Sequence, residues 1–163
     1  MEFFAGPTYT LIHVAISLVG ILSGFVVLYG LLAKRLAGWT GLFLATTVAT
    51  SVTGFGFPFH RFLPSHAVGI LSLVILAVAI YALYARRLAG AWRKTYVIGA
   101  VAALYFNVFV AIVQAFLKVP ALHALAPTQT EAPFKLVQLL VLALFVVLAV
   151  LAARRFRGEP GRA

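Results

Sequence analysis

Of 163 residues, 64% are hydrophobic and 10% charged, with no cysteine and a formal net charge of +10. A water-soluble domain is about half apolar and about a quarter charged, so this chain has too little polar surface to cover a water-facing globule. Without cysteine it has no disulfides, thiolate nucleophiles, iron–sulfur clusters or thiolate metal sites.

Five apolar segments follow in order: Tyr9 to Ala33, Trp39 to Phe57, Ala67 to Ala85, Thr95 to Leu117 and Phe134 to Ala153. Each is about 19–25 residues, enough to cross a hydrocarbon core about 30 Å thick as a helix. The first has no basic run before it and exceeds the apolar core of a signal peptide, so it reads as a retained helix. Its polar face, His13, Ser17, Gly20 and Gly24, follows helical spacing, and Gly20-x-x-x-Gly24 permits close backbone approach. Lys34 and Arg35 end it.

In the second segment Thr46, Thr50, Thr53 and Phe57 form a similar stripe, which His60 would extend if the helix passed Pro58. The break that follows interleaves Phe55, Phe57, Phe59 and Phe62 with Pro58 and Pro64 and carries His60, Arg61 and His66. Such a cluster matches an aromatic belt at the membrane interface. Arg86, Arg87, Arg93 and Lys94 separate the third segment from the fourth, where Asn107, Ala111, Gln114 and Lys118 share a side extended by Ala100 and Ala103. Pro120, Pro127 and Pro133 then mark a loop holding His123, long enough for a helical turn lying on the membrane. Glu131, Lys135 and Gln138 open the fifth segment at compatible spacing.

Ten of the thirteen basic residues fall on one side of this threading, while Arg61, Lys118 and Lys135 fall on the other. The positive-inside rule assigns the ten to the cytoplasm. The expectation is therefore an all-α integral membrane bundle of five transmembrane helices, N-terminus out and C-terminus in. Residues 1–157 form its single domain and 158–163 a cytoplasmic tail. All four histidines then lie on or just beneath the outer face, and the three polar stripes turn toward one another around a pocket there.

Four readings of that pocket stand side by side. Haem b needs two axial histidines, from His13 with His60 or His66, with Gly20, Gly54 and Gly56 admitting the ring and Arg61, Lys118 or Lys135 meeting the propionates; against it, no pair of histidines lies well inside two spans. Copper or zinc would draw on His13, His60, His66 and His123, with water or Glu131 completing the shell. A quinone or lipid headgroup would use Asn107, Gln114, Lys118 and a histidine, with Tyr105 and the phenylalanines as apolar walls. The plainest reading is structural: histidines that cap or pack, lysines that snorkel, and Glu131 paired with Lys118 or Lys135 at the surface. No paired carboxylates, zinc-protease motif, phosphate loop or nucleophile elbow is present, and no carboxylate lies at mid-membrane for proton-coupled transport.

The runs Tyr105-Phe-Asn-Val-Phe-Val and Gln114-Ala-Phe-Leu-Lys-Val-Pro-Ala-Leu-His-Ala-Leu-Ala-Pro-Thr128, with Gly56-Phe-Pro-Phe59, resemble those of a group of small polytopic bacterial inner-membrane proteins. That group has no assigned activity, so the resemblance implies a multi-pass location in the bacterial inner membrane and no chemistry. The expected function is non-catalytic: an accessory or scaffold subunit with a histidine-containing polar pocket. Its partners would be the lipid bilayer and a larger membrane complex or a second copy of itself, with no nucleic acid. The alternative is a small haem b, metal or quinone binder serving electron transfer.

Overall fold

A computed structural model describes residues 6–57 and 64–156; Pro64 and Ser65 are described in backbone only. His60, Arg61, Phe59 and Phe62, named above, lie outside the described residues, as do Glu2 and the tail after Phe156. The described chain is helical throughout: α1 (Pro7–Leu32), α2 (Thr40–Gly54), α3 (Pro64–Ile80, continuing as a π-helical turn Tyr81–Ala85), α4 (Trp92–Lys118), α5 (Pro120–Leu125) and α6 (Ala132–Arg155). Pro7, Pro120 and Pro133 sit in the first turns of their helices, where a missing N–H costs nothing. The short helix α5 occupies the loop where a surface turn was expected.

Among the described residues four helices are long and apolar enough to cross a membrane: Pro7–Leu32, His66–Ala85, Trp92–Lys118 and Ala132–Arg155. The second predicted segment is the exception. Its helix has 15 residues, about 22 Å at helical rise, because it begins after Trp39 and stops at Gly54 rather than running on through Phe57. Even so, α2 and its flanks lie along most of α1. Ala37 packs beside Gly30, Phe43 beside Gly24, Thr46 and Thr47 beside Gly20, and Thr53 beside Tyr9 and His13.

That antiparallel pairing repeats through the bundle. Ser51 and Phe55 of α2 meet Ser72 and His66 of α3, Ala79 of α3 meets Gly99 of α4, and Phe116 and Tyr105 of α4 meet Phe134 and Phe145 of α6. Leu104 and Asn107 return to Gly24 and Gly20, which closes α1–α4 into a ring with α6 packed outside on α4 and α1. One end of the bundle therefore gathers Lys34, Arg35, Arg86, Arg87, Arg93, Lys94, Arg154 and Arg155, eight of the ten described basic residues.

The half nearer those cations is solid. Val27, Leu31, Phe43, Leu76, Ala79, Tyr96, Val97 and Leu104 are almost wholly buried there. A methyl group placed on Gly24 would come within 2.6 Å of Leu104 and 2.8 Å of Phe43, so only glycine fits between three helices at that level. Ala100 and Ala103 also belong to this packed region. Small residues here serve close approach, the main source of helix association where lipid removes the hydrophobic drive.

Candidate functional site

Above Gly20 the four helices part. Between α1, α2, α3 and α4 lies a cavity of about 720 Å³, running from Thr10, Phe57 and Lys118 down to Ile21, Ser72 and Asn107. Along α1 that is eleven residues, about 16 Å at helical rise. Its walls combine aliphatic residues with Phe55, Phe57 and Phe106, and its polar groups are hydroxyls, amides, one ammonium and two imidazoles.

Of the residues singled out in the sequence, His13, His66, Asn107, Gln114 and Lys118 all line this one cavity. The α4 stripe comes through whole, with Ala111 between Asn107 and Gln114. His123 is apart: it lies exposed on α5 and takes no part in the lining. Among the described residues no three histidines and acids gather to hold a metal, so the four-histidine metal set is not assembled by them. Tyr105 also lies elsewhere than expected. Its ring turns to α6, 5.7 Å from Phe145, and the neighbouring Phe106 forms the cavity wall instead. Glu131, expected against a lysine, accepts hydrogen bonds from Thr128 Oγ1 at 2.8 Å and from the Thr128 and Thr130 amides. Partial burial works to raise its pKa, but those hydrogen bonds outweigh it and hold the carboxyl below its ordinary value.

His13 is the most constrained polar group in the cavity. Its Nδ1 lies 2.8 Å from Thr53 Oγ1. The Thr53 hydroxyl spends its single proton on the Ala49 carbonyl at 2.7 Å, the usual bond of a helical threonine to residue i−4. Thr53 Oγ1 can then only accept, so the ring proton sits on Nδ1 and Nε2 keeps a lone pair. No described residue bonds Nε2. Phe57 meets the ring edge-on at 5.1 Å, and Tyr9 donates to the Thr53 carbonyl at 2.6 Å, so the histidine, the aromatic and the end of α2 form one fixed unit.

Two further groups are left with capacity. Asn107 donates Nδ2 to Thr47 Oγ1 at 3.2 Å, and no described residue bonds its Oδ1. Thr50 Oγ1 is sealed from solvent with no partner among the described residues. An orphan hydroxyl of this kind costs roughly 1–3 kcal/mol. A helical threonine has a second accessible χ1, and Thr50 itself lines the cavity. His66 contributes from α3, stacked on Phe55 at 5.8 Å. Beyond His66, the α3 lining was missed in the sequence, although His66, Gly69 and Ser72 recur every third residue and all line the cavity.

No known family, curated protein or solved structure matches this chain.

Proposed function

We propose that this chain is a multi-pass membrane protein that binds the hydrogen-bonding head group of a small, membrane-dissolved aromatic molecule of the quinone–quinol class. The observation that carries this reading is the cavity of about 720 Å³ framed by α1–α4, apolar for most of its lining and bearing a few fixed polar groups, the general character of small-molecule sites. His13 Nε2 and Asn107 Oδ1 offer acceptors for the hydroxyls of a quinol, while Gln114, Lys118 and the Thr50 hydroxyl offer donors to the carbonyls of a quinone. Phe55, Phe57 and Phe106 supply faces and edges for the ring. An accessory or scaffold role gives the cavity no ligand, and for haem b the described partner of His13, His66, is stacked on Phe55.

The same reading includes five crossings with the N-terminus outside and the C-terminus in the cytoplasm. It is supported by the antiparallel course of α2 beside α1 and by the eight basic residues gathered at one end. The cavity then opens toward the outer leaflet. A bacterial inner-membrane location is part of the same proposal.

The test is direct binding of a short-chain benzoquinone and its quinol to the purified protein in detergent, with an absorption spectrum recorded on the same sample. Saturable binding is expected. His13→Ala should weaken quinol binding about tenfold, and Thr53→Val, which frees the histidine to exchange tautomers, about threefold. Failure of both forms to bind would refute the quinone reading, and a Soret band lost in His13→Ala would replace it with haem.

A further inference from the structure

A second hollow of about 740 Å³ lies at the opposite end of the molecule, outside the ring of α1–α4. It is a groove between the first turns of α4 and the last turns of α6. On α6, Val146, Ala149, Val150 and Ala153 recur at i, i+3, i+4 and i+7, so they form one face. The two alanines present only methyl groups, which leaves the space between the helices unfilled. Opposite stands Ile98, and Ile98, Val146 and Val150 are all substantially exposed.

Charge is confined to one end of this apolar trough. Lys94 lies one helical turn before Ile98 on α4, and Arg154 follows Ala153 on α6, so both cations border the groove at the same end. Arg93 joins them there, already engaged within the protein. Among the described residues, no acidic side chain lines the groove. From Arg154 inward to Val146 the apolar wall extends eight residues, about 12 Å.

We propose that this groove is a specific seat for an anionic phospholipid, its phosphate between Lys94 and Arg154 and an acyl chain laid along Val146, Val150 and Ile98. The order of chemistry along the groove is that of the lipid itself, anion-binding at the membrane surface and hydrocarbon beneath. Basic pockets between transmembrane helices recognise phospholipid head groups in this manner. An acidic peptide would leave the 12 Å of hydrocarbon wall without a use, and a zwitterionic lipid brings a cation of its own against Lys94 and Arg154. This site is independent of the cavity around His13.

The full-length protein, purified in detergent and titrated by native mass spectrometry with phosphatidylglycerol and phosphatidylcholine of identical chains, tests the assignment. Phosphatidylglycerol should be retained at least several-fold better. Lys94→Gln with Arg154→Gln should abolish that preference, at roughly fivefold per cation. Arg86→Gln with Arg87→Gln, at the neighbouring turn and outside the groove, should leave it intact. Val150→Trp, which fills the trough without altering charge, should lower retention of phosphatidylglycerol as well. Equal retention of the two lipids would overturn the proposal. So would equal losses from the two charge-removing pairs, since the attraction would then be diffuse, or full retention in Val150→Trp.

Discussion

The two halves of the bundle are built from the same four helices and differ in what stands between them. Toward the cationic end, Gly24, Ala79, Ala100 and Ala103 bring backbones together, and Phe43, Leu76 and Leu104 fill what remains. Toward the histidine end, hydroxyls and amides replace those residues, the helices part and the space stays open. Ser17, for one, satisfies its hydroxyl on the His13 carbonyl of its own helix and spends no hydrogen bond across the bundle. Solid packing and open cavity thus follow the balance of chemistry along the helices, mostly methyls and rings below with a few self-bonded hydroxyls such as Ser23, and more hydroxyls, amides and imidazoles above.

A matched pair of glycine substitutions probes this contrast most strongly. Gly24→Ala forces a methyl into Leu104 and Phe43 and should destabilise the protein by about 1–3 kcal/mol, read by thermal denaturation in detergent. Gly54→Ala places its methyl 3.8 Å from His13 Cε1, an ordinary contact, and should stay within about 0.5 kcal/mol of the parent. Equal losses at the two sites would erase the distinction between the halves.

The turns at the cationic end hold more strained residues than the described turns of the other end. Lys34, Arg87 and Leu88 all have positive φ, against Gln129 alone among the described residues at the histidine end. Lys34 closes α1 with φ 65° while Arg35 N–H reaches back to the Gly30 carbonyl at 2.9 Å, a helix ending that favours glycine. Lys34→Gly should raise stability by about 1 kcal/mol, visible as a higher Tm.

The smallest effect is expected from Glu131. Its pKa is held below the ordinary 4.5 by the Thr128 and Thr130 hydrogen bonds. The stability it contributes is therefore complete above that value and is lost as pH falls through the lowered one. Comparing Tm at pH 7 and near pH 3 in the parent and in Glu131→Gln should show a slightly smaller acid-induced drop in the variant. An identical drop would remove the carboxylate from the account of the loop.

Hydropathy alone marks the helices of α1, α3, α4 and α6, because crossing a bilayer demands long apolar runs and cationic or proline stops. It places the start of α2 correctly and its end three residues too late, since Phe55, Gly56 and Phe57 are as apolar as a helix requires yet form a turn. The π-helical turn at Tyr81–Ala85 has no such signature either. Polar stripes on α1, α2 and α4 were readable from their spacing, and so was the set His13, Asn107, Gln114 and Lys118. What spacing could not give is which neighbour each stripe faces. That depends on how each helix is turned against its neighbours: α4 sets Leu104 on Gly24, Phe106 in the wall and Tyr105 against Phe145 outside it.

The brevity of α2 has a consequence for the surrounding lipid. If its 15 helical residues alone matched the hydrocarbon of a bilayer about 30 Å thick, thinning of the acyl chains beside that helix would cost a fraction of a kcal/mol per ångström. The membrane would dimple on one flank of the protein only, next to the Phe55–Phe57 turn. Such a lopsided rim gives the molecule a preferred heading in thin or curved bilayers.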